Sequence, residues 1–221
     1  MICDHGQEYL LKLKICGLMR EQDVQLCEEL GVDVLGFVVE YPREVPWNLT
    51  RDQAKILLSA ARSPTCLVTG GTPESVIALA AELKPDMIQL HYKETVAQTA
   101  EIAAELKKSG IKTIRAVHNE AEIAALCKTE IEAILVDSRT SENAANNGLA
   151  VDTDLFNRVK EKSTKPLIIA GGITPENVVD IIARTEADWI DVMSGVERSP
   201  GVKDRMKLIS LTSSLFPCDS H

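Results

Sequence analysis

A chain of 221 residues that is 45% hydrophobic and 26% charged has the composition of an ordinary water-soluble protein and can bury a sizeable core as one domain, 1–221, with 1–10 as a short N-terminal extension. A formal net charge of −9 and a pI near 5.0 argue against an extended nucleic-acid or anionic-membrane surface. No apolar run approaches the roughly 20 residues that cross a bilayer, the start MICDHGQEY lacks a basic, apolar leader, and six cysteines without paired spacing read as reduced thiols, so a cytoplasmic location is expected.

Leu11, Leu13 and Ile15 alternate with Lys12, Lys14 and Cys16, a period of two that predicts a strand broken at Gly17. A helix over 20–30 and the short apolar run 32–39 follow. Thr50 is placed to cap a helix reaching Arg62, and Pro73 to open another after the strand 65–70. The strand 86–91, a helix from Glu94 to Ser109 stopped by Gly110, the strand 111–117, a helix over 119–128 and the strand 131–137 come next. Beyond the polar stretch Ser138 to Gly148 lie a helix over about 152–163, the strand 166–170, a helix opened by Thr174-Pro175, the strand 188–193 and a last helix over about 203–215.

Eight short apolar strands alternating with eight helices are the mark of a parallel sheet covered by helices. Every second strand is introduced by an acidic residue, at 33, 86, 132 and 188. That fourfold recurrence of a βαβα unit suits a closed (β/α)8 barrel better than a doubly wound open sheet. In such a barrel the chemistry comes from the C-terminal strand ends. Here these read Cys16, Glu40 to Arg43, Thr69 to Gly71, His91, Arg115 to His118, Asp137, Gly171-Gly172 and Ser194-Gly195.

Gly171 and Gly172 after strand seven, with Ser194 and Gly195 after strand eight, sit where barrels of this kind bind phosphate. Cys16 either packs as a small hydrophobe or serves as a base. Lys14 shares its side of the strand and favours the thiolate, unless an interior carboxylate claims it. Asp137 either caps its turn or, desolvated, acts as an acid. Arg43 can fork onto a carboxylate. His91 stands between a rim role and a substrate contact, His118 and Arg115 are weaker candidates, and Trp47 and Trp189 are read as packing residues. No cluster of metal-ligand spacing is present.

The segments KICGLMR (14–20), LGFVVEYPREV (35–45), DMIQLH (86–91), ILVDS (134–138), AGGITPENV (170–178) and DVMSGVERSPGVKD (191–204) together resemble phosphoribosylanthranilate isomerase, a (β/α)8 TIM-barrel enzyme of tryptophan biosynthesis. The resemblance implies an Amadori rearrangement with Cys16 as general base and Asp137 as general acid. Arg43 would face the anthranilate carboxylate, and Gly171, Gly172, Asp191, Ser194 and Gly195 would lie in the phosphate site. It implies no metal or organic cofactor and a small phosphosugar as the only partner, and leaves monomer and homodimer open. The family's SSG here begins with Met193, its QLHG reads QLHY with Tyr92, its third strand ends CLVTGG, and its GGTG is reduced to Gly148 in ANNGLAVDT. These departures leave room for a related phosphosugar substrate or a non-catalytic phosphosugar-binding barrel.

Overall fold

The computed structural model describes residues 11–137 and 151–216; the extension 1–10, the polar stretch 138–148 with Gly148, and Cys3 and Cys218 lie outside the described residues. The first half of the chain runs β1 (Lys12–Ile15), α1 (Glu21–Glu29), β2 (Val34–Val38), α2 (Arg51–Ala60), β3 (Thr65–Thr69), α3 (Pro73–Leu83), β4 (Met87–Leu90) and α4 (Val96–Lys108). The second half runs β5 (Lys112–Val117), α5 (Ile123–Leu126), β6 (Ala133–Asp137), α6 (Thr153–Lys160), β7 (Leu167–Ala170), α7 (Val178–Thr185) and β8 (Trp189–Val192). A 3₁₀ turn (Ser194–Val196), the strands β9 (Glu197–Ser199) and β10 (Val202–Lys203), and α8 (Arg205–Leu215) end it. Strands β1 to β8 form a closed parallel barrel, with Lys14 opposite Asp191 where β1 meets β8. The open sheet is excluded.

Pleating sends alternate side chains inward. Val34, Cys66, Met87, Ile114, Ala116, Leu135, Ile168, Ala170 and Trp189 pack together inside the barrel, while a larger apolar layer seals the helices onto its outside. The same alternation turns Lys14 and Cys16 inward on β1.

The recurring acidic residues have a physical role at the barrel floor. Asp33 accepts from the Leu13 N–H at 2.8 Å, Asp86 from the Thr65 N–H at 2.7 Å and Asp188 from the Leu167 N–H at 2.8 Å. Each even strand thus fastens the start of the odd strand before it, satisfying a donor at the end of the ladder. Glu132, one methylene longer, pairs with Lys112 at 3.1 Å instead.

Helix starts follow local chemistry: Thr50 and Thr95 form capping boxes with Gln53 and Gln98, and Thr72 caps α3 ahead of Pro73. Two expected helices are shorter than read. The segment 119–128 keeps only Ile123–Leu126, because the Asn119 side chain accepts from the Ala121 N–H at 2.9 Å and closes a turn first. Helix α7 starts at Val178 rather than at Pro175, because Asn177 accepts from the Thr174 N–H and donates to the Gly172 carbonyl. The β9–β10 hairpin had no alternating pattern to announce it. Among the described residues no helix is long and apolar enough to cross a membrane.

Candidate active site

One cavity of about 340 Å³ opens at the C-terminal ends of the strands, and both Cys16 and Asp137 line it. They are 5% and 3% exposed, so each lies in a largely dry setting without being sealed off. Cys16 follows β1 directly, its N–H still donating to the Val192 carbonyl. Gly36 on β2 makes room for it: a Cβ there would stand 2.9 Å from the Cys16 Cα and 3.0 Å from its Sγ.

Burial pushes the Cys16 thiol pKa up, with Asp191 adding to the effect and the ammonium groups of Lys14 and Lys203 opposing it. Lys14 thus favours the thiolate as expected, but the interior carboxylate that could claim it is present. Lys14 is itself wholly buried and gives its ammonium to Asp191 at 2.9 Å, so the two charges largely cancel at the sulfur. Asp191, read from the sequence as a phosphate-site residue, lines the cavity with one carboxylate oxygen on Lys14 and Oδ1 without a hydrogen-bond partner. Burial works against the Lys14 charge, but Asp191 together with the neighbouring Cys16 and Cys66 offsets it and holds its pKa above the ordinary lysine value.

Asp137 ends β6 among histidines. His91 Nε2 stands 3.4 Å from its carboxylate, and His118 Nδ1 is 3.0 Å from its carbonyl oxygen. The Gln89 amide lies 3.0 Å from His91 Nδ1 and holds the ring with Nε2 turned toward Asp137. Burial pushes the His118 pKa down, favouring neutral imidazole beside the acid. His91 lines the cavity through this contact.

Between the ends of β6 and β1 on the same rim, Gly171, Gly172 and Ile173 after β7 meet Ser194 and Gly195 after β8. The two turns touch backbone to backbone, since a Cβ on Gly195 would fall 1.8 Å from the Ile173 carbonyl oxygen. Gly171 and Gly172 adopt φ of 92° and 70°, a reversal that side chains resist.

An apolar lobe joins these parts. Cys16, Val38 and Val68 form a cluster with Tyr41, Val45, Trp47 and Met193 packed against it. Arg43 lines the cavity with its guanidinium 5.5 Å from the Tyr92 ring centre. Tyr41 meets Tyr92 edge-on at 5.9 Å and donates to the His91 carbonyl at 2.6 Å. Trp47, read as a packing residue, is a cavity wall whose indole N–H donates to Glu197 at 2.9 Å. Arg115 is not a site residue: it is buried, donating to the Leu90 and Glu94 carbonyls and facing the Glu94 carboxylate at 3.5 Å. Among the described residues no His, Cys, Asp and Glu group is arranged to hold a metal ion.

The sequence profile of N-(5'-phosphoribosyl)anthranilate (PRA) isomerase matches residues 13–214, so the match spans the barrel and every residue of this cavity. The chain belongs to this family. It is 33% identical over 205 residues to the N-(5'-phosphoribosyl)anthranilate isomerase of Haloferax volcanii, covering 88% of each chain. It is 27% identical to the crystal structure of phosphoribosyl anthranilate isomerase from Thermus thermophilus, with a TM-score of 0.77 over 93% of this chain and 98% of that one. A further structure, of phosphoribosyl anthranilate isomerase in complex with reduced 1-(o-carboxyphenylamino)-1-deoxyribulose 5-phosphate, is 25% identical, with a TM-score of 0.76 and the same coverage.

Two of the departures from the isomerase pattern, Tyr92 and Met193, line the cavity. Tyr92 rests on Gly70, where any Cβ would meet the Tyr92 Cβ at 2.4 Å, so the glycine after β3 and the tyrosine after β4 fit as a pair. Met193 takes the place of a hydroxyl and packs in the apolar lobe.

Proposed function

We propose that this chain catalyses the Amadori rearrangement of N-(5-phosphoribosyl)anthranilate to 1-(2-carboxyphenylamino)-1-deoxyribulose 5-phosphate, a step of tryptophan biosynthesis. The observation that carries the reading is that Cys16 and Asp137 line one cavity, with the paired glycine turns after β7 and β8 lining it between their strands. Asp137 gives its proton to the furanose ring oxygen, the C1′–O bond breaks, and the aryl nitrogen lone pair forms a protonated imine. The Cys16 thiolate then takes the C2′ proton, and the electron pair moves to neutralise the nitrogen as an enolamine. Tautomerisation at C1′ yields the ketone, so the reaction moves protons and consumes none.

The turns at Gly171-Gly172 and Ser194-Gly195 hold the phosphate, through backbone N–H groups and the Ser194 hydroxyl. The apolar lobe takes the aryl ring, Arg43 its carboxylate, and His91 acts by supporting Asp137. Asp191 acts on this site at one remove, by neutralising Lys14. Both proton transfers use side chains alone, so the scheme invokes no cofactor. We place the reaction in the cytoplasm with a small phosphosugar as the partner; a net charge of −9 opposes a nucleic-acid partner.

The test is to follow loss of anthranilate-type fluorescence with the purified chain, alongside phosphoribosylamines bearing other aryl groups. Turnover of the anthranilate compound alone, or of it first, supports the reading. Turnover confined to another amine would reassign the aglycone, and tight binding without turnover would reduce the chain to a carrier.

Two further results are expected. Arg43→Ala raises KM for the anthranilate substrate by about tenfold or more, the worth of a charge-assisted hydrogen bond of about 1.5–3 kcal/mol, with a smaller change in kcat. The loss should disappear against an analogue lacking the carboxylate. Gly195→Ala drives a Cβ into the Ile173 carbonyl, so one of the two turns must move. Overpacking of about 1–3 kcal/mol corresponds to a melting temperature lower by several degrees. Inorganic phosphate should then protect the protein from thermal unfolding less than it protects the unmodified chain.

A further inference from the structure

Lys203 is a buried cation that neither proton transfer uses; its side chain is 0% exposed. Its ammonium donates to the Cys16 carbonyl, to the Met193 carbonyl at 3.2 Å and to the Glu197 carboxylate at 2.9 Å. An ammonium has three donors, and three acceptors are in place. Two of them are strand-end carbonyls beyond the last rung between β1 and β8. Glu197 accepts on the same oxygen from the Trp47 indole at 2.9 Å and from the Gly201 N–H at 3.2 Å. The Lys203 backbone N–H donates to Asp23 at 3.1 Å, and Asp23 is held by two bonds from Arg20 at the start of α1.

These contacts join parts of the chain that are 150 to 187 residues apart. Each part belongs to the cavity: the base, the turn that begins at Met193, and the Trp47 wall. We propose that Lys203 is a positioning residue of this active site, its buried ammonium locking the Cys16 strand end, the anion-binding turn after β8 and, through Glu197, the Trp47 wall into one rigid unit. The inference rests on the reading of Cys16 as the base. Without the ammonium the Cys16 and Met193 carbonyls separate or turn, and a displacement of about 1 Å at a reacting group is enough to cost about 10²-fold in rate. The groups facing the Cys16 thiol are Lys14 on its own strand, Cys66 on β3, Asp191 on β8 and Lys203 itself.

The experiment compares Lys203→Met and Glu197→Gln in the full chain. It reads kcat, KM and the pH dependence of Cys16 alkylation by iodoacetamide, followed by mass spectrometry. Lys203→Met is expected to lower kcat by about 10- to 100-fold, with a smaller change in KM. Its alkylation profile moves to higher pH, because a cation near the sulfur is gone. Glu197→Gln moves the profile to lower pH, because that cation loses its counter-charge. General loosening cannot shift the two in opposite directions, and Leu211→Ala, a destabilising change in a fully buried helix residue, should leave the profile in place.

A folded Lys203→Met protein with unmodified kcat, or two profiles that coincide with the parent, overturns the proposal. If Lys203→Met does not fold, the Glu197→Gln profile decides: a shift to lower pH supports the positioning role and an unmoved one overturns it. Alkylation reports on the thiol without turnover, so the inference can fail while Cys16→Ala still abolishes activity. Conversely, an active Cys16→Ala protein removes the base assignment on its own.

Discussion

Cys16→Ala is expected to reduce kcat by about 10²–10⁴-fold, the range for loss of a positioned acid or base, with KM within about threefold of the parent. The asymmetry follows from where the sulfur sits. It occupies one small face of the apolar lobe, whose grip on the aryl ring comes from Val38, Val68, Tyr41, Val45, Trp47 and Met193. Truncation removes one atom from that lobe while removing all means of taking the C2′ proton. Because burial raises the thiol pKa, unmodified Cys16 should react slowly with iodoacetamide at neutral pH, and its rate should still be climbing in the alkaline range. Steady-state kinetics decide the role: a variant within about tenfold of the parent kcat takes Cys16 out of the chemistry.

Asp137→Asn is the companion experiment, with an expected loss in kcat of similar size, about 10²–10⁴-fold. The amide is nearly the same shape and still faces His91 Nε2, so the surroundings of β6 should survive and the melting temperature change little. What disappears is the proton for the ring oxygen. A substrate analogue already in the open-chain form bypasses that step and should be processed far better by Asp137→Asn than by Cys16→Ala. Equal loss of the open-chain reaction in both variants would show that Asp137 is not the ring-opening acid. With the acid absent, residual turnover should rise with pH, since the base alone remains to titrate.

The barrel and its rim were legible because they rest on local patterns. A period of two sends Lys14 and Cys16 inward on β1 and carries Asp137 to the inward end of β6, and barrel closure then brings both ends to one opening. Turn chemistry marked Gly171-Gly172 and Ser194-Gly195 in the same way. Partners of buried charges were not legible, because they are chosen by contacts far apart in the chain. Lys14 pairs with Asp191 across 177 positions, and Lys203 meets Cys16 across 187. The ERSPGVK segment has no strand alternation to announce a hairpin, and although it carries part of the resemblance nothing in it gives Lys203 or Glu197 a role. Trp47 gives no sign in its own segment of an indole partner 150 residues later. Helix α5 was overread because Asn119 spends its side chain on a local turn, a competition that composition does not reveal.

The three aspartates that fasten neighbouring strands lie at the opposite end of the barrel from every residue assigned a chemical role. Closure of the fold and recognition of the aryl group are therefore decided by separate sets of side chains. That separation makes the scaffold evolvable. Libraries diversified at positions 41, 43, 92 and 193 should retain a high fraction of folded members, giving selection for new arylamine specificities a broad pool from which to draw.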